Sequence, residues 1–203
     1  MPFTPHKMIS LNIDTLDAKA ASQAIASLLT PRPPAWVSTR GADGTTNLAP
    51  FAYFSGVSAR PPIFMLSIGQ RDDHPKDTLR NILETGEYVI NFADQSLAKA
   101  VDTTARELPY GIDEAALAGV TLTESARVVA PRVAEAVASL ELRLLKTVPL
   151  EGSQYTLVLG QMIYLHVRAD LWNESGLLDA HQIDPLLRLA GGQYGGLGEV
   201  YRV

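Results

Sequence analysis

Lys76, Asp77 and Thr78 stand where a helix begins: Pro75 suits a first helical position, Leu79, Ile82 and Leu83 make one apolar face, and Gly86 supplies a stop. A first helical turn has unpaired N–H groups and a positive dipole end, so a lysine and a hydroxyl beside it make a phosphate site. The same residues also fit a plain helix start in which Asp77 complements the dipole, and the local pattern leaves both readings open. Upstream, the chain runs Ala35-Trp36-Val37-Ser38-Thr39-Arg40, turns at Gly41-Ala42-Asp43-Gly44 and returns through Asn47-Leu48-Ala49-Pro50-Phe51 to Ser55-Gly56-Val57-Ser58. Its small and hydroxyl residues leave the backbone approachable, a layout suited to a flat, phosphate-bearing ligand. Other chemistries lack their residues. Cysteine is absent, there is no G-x-S-x-G elbow or H-E-x-x-H pair, and the histidines at 6, 74, 166 and 181 show no metal-ligand spacing.

The elements that must hold these residues are mostly strands. Residues 34–39 read as a buried strand and 41–45 as a hairpin turn. The return is interrupted by Pro50, which cannot donate to a ladder and belongs at a bulge or edge; a barrel corner and a ligand-facing gap are both compatible with it. Residues 63–68 and 87–92 are further strands, and 140–144 alternate leucine with charge, the period-two mark of a half-buried strand. Across 155–167 the odd positions Leu157, Leu159, Ile163, Leu165 and Val167 share one face, Gly160 marks a bend, and His166 falls opposite as a surface residue. Helices are expected over 16–29, ended by Pro31 and Pro33, and over 96–103. Residues 108–131 form an excursion covering either a neighbouring subunit or a substrate face, and the glycines around Tyr194 make a close-packed turn without a dinucleotide fingerprint.

With 203 residues the chain suits one domain, 1–203, in which 1–30 form an N-terminal extension and helix packed on the body. A content of 46% hydrophobic and 19% charged residues argues against extended disorder. The formal charge of −5, without a clustered basic face, removes the electrostatic case for nucleic acid. Residues 1–14 hold no apolar core of secretory length and no run of about 18 apolar residues occurs, so a cytoplasmic protein with no membrane contact is expected.

The chain resembles the flavin reductase-like family of FMN-binding split barrels, the branch of flavoredoxin and ferric reductase relatives. The resemblance is carried by the ordered words Trp36-Val37-Ser38-Thr39, Asn47-Leu48-Ala49-Pro50-Phe51, Ser55-Gly56-Val57-Ser58 and Pro75-Lys76-Asp77-Thr78-Leu79-Arg80-Asn81. Downstream, Gly86-Glu87-Tyr88-Val89-Ile90-Asn91, Ala130-Pro131-Arg132-Val133-Ala134-Glu135 and Leu189-Ala190-Gly191-Gly192-Gln193-Tyr194 continue it.

That resemblance implies a mainly β fold, a Greek-key antiparallel split β-barrel with a few peripheral helices, forming a homodimer with FMN near the interface. It places Ser38, Thr39 and Arg40 along the FMN, and Asn47, Leu48 and Ala49 at the polar edge of the ring. Ser55, Gly56, Val57 and Ser58 fall at the ribityl phosphate, Lys76, Asp77 and Thr78 close that end, and Tyr194 returns near the site. The implied activity is an FMN-dependent oxidoreductase passing hydride or electrons from NAD(P)H to a flavin, a metal complex or another small-molecule acceptor. Two other readings stay open: a flavoredoxin-type electron carrier without rapid NAD(P)H turnover, and a barrel that has lost its flavin. The flavin ring itself accepts hydride, so the lack of a catalytic acid–base set is compatible with the first two. The Arg71-Asp72-Asp73-His74 loop adds an expectation of NADH over NADPH, through repulsion of a second phosphate.

Overall fold

The computed structural model describes residues 7–71, 74–173, 176 and 178–201, so Asp72 and Asp73 of the acidic loop, and 1–6 of the N-terminal stretch, lie outside the described residues. In chain order the strands are β1 (Ala35–Arg40), β2 (Thr46–Phe51), β3 (Phe54–Ala59), β4 (Pro62–Arg71), β5 (His74–Pro75) and β6 (Glu87–Phe92). They continue with β7 (Leu122–Thr123), β8 (Arg132–Val133), β9 (Ala138–Pro149), β10 (Tyr155–Val167), β11 (Leu187–Arg188) and β12 (Tyr194–Gly195). The helices are α1 (Ala18–Leu28), α2 (Asp77–Thr85), α3 (Ala98–Thr103), α4 (Glu114–Ala118) and α5 (Ala180–Ile183).

Seven strands hydrogen-bond in the order β2-β1-β6-β9-β10-β4-β3, with β5 appended to β4, and every pairing is antiparallel. Local hairpins alternate with the long-range pairs β1/β6 and β4/β10, which is Greek-key connectivity. The terminal strands β2 and β3 are joined only by Ala52 and Tyr53, so the sheet must curl until its two edges meet there. This closes the split barrel. Pro50 lies on β2, an outer strand that pairs β1 alone, as a residue without an N–H requires.

The barrel interior is packed by Val37, Leu66, Ile68, Ile90, Leu142 and Val158, with Leu79 and Ile82 of α2 plugged into it. Burying each of those two side chains stabilises the helix placement by about 2 kcal/mol. The start of α2 is therefore held by its apolar face. On the outside, Trp36, Leu48, Val101, Ala115 and Val133 form a second cluster, so β1 and β2 contribute to two cores from opposite faces.

Three expectations are corrected. Pro75 is not the first helical residue: its pairing with Gln70 keeps it extended, Lys76 is the N-cap, and Asp77 begins the helix. The odd residues of β10 do not form one core face: the even residues Val158 and Met162 point into the interior, and the parity of β10 switches at the register shift after Met162, where Ile163 is an extra residue. Helix α1 has no buried residue, and Leu28 on its apolar side is 84% exposed.

His166 and Glu141 also differ from expectation. Alternation assigned Glu141 to the solvent face, yet it is fully buried because the 108–131 excursion folds back over the barrel, where Val128 and Ala130 pack on Val89. Glu141 accepts hydrogen bonds from the amides of Ala126 and Arg127, both at 2.7 Å, and meets half-buried His166 Nε2 at 2.6 Å. Burial alone would raise its pKa, but the His166 contact and the two amides outweigh that and hold it below the ordinary 4.5. A lowered carboxylate pKa contributes stability that is complete above the ordinary value and lost as pH falls through the folded one. Denaturant midpoints across acidic pH are therefore expected to fall below about pH 4.5, and Glu141→Gln is expected to flatten that decline; an unchanged slope would separate Glu141 from acid unfolding.

Candidate functional site

The N-terminus of α2 is open. Asp17, Asp113 and Asp179 cap α1, α4 and α5 through their side chains, whereas Lys76 gives α2 no side-chain cap hydrogen bond. The first N–H groups of α2 are left for another acceptor. Thr78, 1% exposed, receives a 2.8 Å hydrogen bond from Asn47 Nδ2, which ties β2 to the helix start. Asn47, Ala49, Lys76, Asp77 and Thr78 are thereby brought together along one cleft of about 270 Å³.

Charge in this cleft is unevenly matched. Arg80 meets Asp77 at 3.0 Å and Arg71 lies 3.9 Å from Glu107, but among the described residues Lys76 and Arg106 have no ion pair. Glu114 closes the wall, its Oε2 accepting the Leu48 amide at 3.3 Å. Burial pushes its pKa up, its own backbone and the Leu48 amide oppose the rise, and Asp77 and Asp113 add to it.

The other residues singled out in the sequence lie elsewhere. Ser38 is fully buried, donating to the Pro131 carbonyl at 2.5 Å and accepting from Asn91 Nδ2 at 3.0 Å. Thr39 accepts from Asn81 Nδ2 at 3.0 Å, and Arg40 Nε donates to the Val129 carbonyl at 2.9 Å. These three brace β1 rather than line the cleft. The Leu48 side chain is in the outer core, Ser55 to Ser58 are exposed along β3 and line neither this cleft nor its neighbour, and Tyr194 takes a 2.8 Å hydrogen bond from Arg188.

Residues 27–194 match the flavin reductase-like domain model. The chain belongs to the flavin reductase-like family. Among solved structures, nitrilotriacetate monooxygenase component B from Bacillus cereus is 33% identical, with 98% of this chain and 100% of that one covered and a TM-score of 0.94. Pseudomonas fluorescens 2-nitrobenzoate 2-nitroreductase is 26% identical, covering 96% and 95%, with a TM-score of 0.86. An uncharacterized protein of Halalkalibacterium halodurans is 33% identical over 95% of this chain and 94% of its own.

This flavin reductase-like chain has a second cleft, of about 390 Å³, that shares Pro50, Phe51, Lys76 and Ala105 with the first, so the two form one bent groove. Sequence reading missed its other walls: Arg32, Tyr53, Gln70, Gln154, Tyr155 and Arg188. They come from five separate places in the chain, and none sits in a motif. An arginine between prolines at Pro31-Arg32-Pro33, where the backbone is held extended, was the one local irregularity available.

Proposed function

We propose that this protein binds FMN in the bent groove and acts as an FMN-dependent oxidoreductase, taking hydride from NAD(P)H and passing electrons to a flavin, a metal complex or another small acceptor. The observation that carries this reading is the uncapped start of α2 beside Lys76, which has no ion pair among the described residues, with the Thr78 hydroxyl tied to Asn47. That donor set fits a phosphate monoester: N–H groups at a positive helix end, one flexible cation and one hydroxyl. Family membership supports flavin chemistry, and the similar proteins named as a monooxygenase component and a nitroreductase support redox work. When bound, FMN supplies the hydride-accepting ring.

In this reading the chain itself orients and excludes. Lys76, Asp77 and Thr78 hold the phosphate end, while Asn47 and Ala49 face the ring's polar edge. Ser38, Thr39 and Arg40 act from behind by fixing β1, and Leu48 contributes its amide-held backbone through Glu114. A homodimer belongs to the same proposal. Helix α1 buries nothing of its own, Ile25 and Leu28 are 46% and 84% exposed, and the edge strand β3 is exposed throughout residues 55–59. A second copy covers these surfaces and brings Ser55, Gly56, Val57 and Ser58 toward its own flavin, while Tyr194 supports the groove through Arg188.

The test is anaerobic addition of NADH to FMN-loaded protein, followed by absorption. Rapid bleaching of the bound flavin is the expected result. A flavin that stays oxidised would replace the reductase with a flavoredoxin-type carrier, and cytoplasmic work as a small-molecule reductase would fall with it.

A further inference from the structure

Arg32 and Arg188 are direct partners in an isolated antiparallel bridge, exchanging backbone hydrogen bonds of 3.2 and 2.8 Å. Both side chains line the second cleft. Like charges placed opposite each other across such a pair repel, and among the described residues the cleft walls include Arg32, Lys76 and Arg188 but no aspartate or glutamate. Among the described residues neither arginine has an ion pair, in a chain whose net charge is −5. Asp102 reaches Arg188 only through the Tyr194 hydroxyl, which donates to it at 3.5 Å, and does not line the cleft.

Arg32 has one ordinary duty. Its Nη1 donates to the carbonyls of Ala26 and Leu29, at 2.8 and 2.5 Å, where the C-terminal end of α1 favours a cation. That duty does not explain the rest. Among the described residues Arg32 Nε is buried without a hydrogen-bond partner, Arg188 Nη1 donates to the Tyr194 hydroxyl with the guanidinium 5.3 Å from that ring, and Tyr53 lies under the Arg32 guanidinium at 5.9 Å. A buried N–H of a charged group left unpaired is costly unless something occupies it.

We propose that Arg32 and Arg188 form an anion-binding pair for a phosphate-type oxyanion, held in the second cleft at a distance along the groove from the α2 start. Two guanidinium groups lining one cleft suit the several acceptor oxygens of a phosphate or pyrophosphate. Beside them, Tyr53 and Tyr155, edge to face with centroids 6.3 Å apart, offer a wall for a flat ring. The source is either the phosphate of FMN or that of a second, phosphate-bearing substrate; this choice rests on the flavin reading above, whereas the anion site does not.

The probe is inorganic pyrophosphate, titrated calorimetrically into the protein with and without FMN. The apoprotein is expected to bind it, and Arg32→Gln and Arg188→Gln are each expected to weaken that binding about tenfold, the loss of one charge-assisted pair. Arg32→Lys, which keeps the charge, is expected to recover part of it, and matched melting temperatures exclude simple misfolding. Pyrophosphate binding that persists on FMN-loaded protein assigns the site to a second substrate. Competition with FMN, together with loss of FMN affinity in both glutamine variants, assigns it to the flavin's own phosphate. No binding by the wild-type apoprotein, or equal binding by folded Arg32→Gln and Arg188→Gln, would overturn the proposal while leaving flavin binding at Lys76 to be judged separately.

Discussion

Lys76→Ala is expected to weaken FMN binding by roughly 10- to 100-fold while leaving the protein folded, because one charge-assisted contact to phosphate contributes about 1.5–3 kcal/mol. Its structural cost is small. Lys76 is an N-cap that caps nothing with its side chain, among the described residues it holds no ion pair, and the helix it precedes is anchored by Leu79 and Ile82. Unchanged affinity would remove Lys76 from the site, and a parallel fall in thermal stability would show that it served the fold instead.

Gly160→Ala is expected to cost about 3 kcal/mol of stability or more, the upper range for forcing atoms into a packed core. A Cβ at 160 would stand 2.0 Å from the Tyr88 hydroxyl and 2.7 Å from its Cζ. Tyr88 is fully buried among barrel residues and has no room to swing away. Among the described residues the hydroxyl has no hydrogen-bond partner, and burial raises its pKa so that it stays protonated. Tyr88→Phe in the Gly160→Ala background is therefore expected to return part of the loss, since it deletes the closest clashing atom and an unsatisfied polar group together. Urea unfolding of the two single variants and the double variant measures this coupling, and strictly additive effects would contradict it.

Much of this architecture was legible because short-range rules governed it. The β1/β2 hairpin follows from the 41–45 turn, Gly86 ends α2 in the left-handed conformation at φ 72°, and Pro50 announced an edge. What escaped was set by long-range packing. The parity of β10 depends on a register shift after Met162 that no local pattern encodes, and Glu141 was assigned to solvent because the chain that covers it is sequence-distant and irregular.

The site divides in the same way. The helix start that puts Lys76, Asp77 and Thr78 at the cleft declares itself locally, whereas Asn47 was singled out through the family resemblance. The partners of Ser38 and Thr39 were not legible, because hydroxyls on a strand look alike wherever they point; here they accept hydrogen bonds from Asn91 and Asn81. Arg32 and Arg188 are separated by most of the chain, and only the fold shows them side by side.

The central claim is that a flavin is held through its phosphate at the start of α2. Side-by-side titration of the apoprotein with FMN and riboflavin, followed by the change in visible absorption, tests it directly because the two ligands differ only in that group. FMN is expected to bind at least about tenfold more tightly, in line with one or more charge-assisted phosphate contacts. Equal affinities, or no binding of either, would contradict the account.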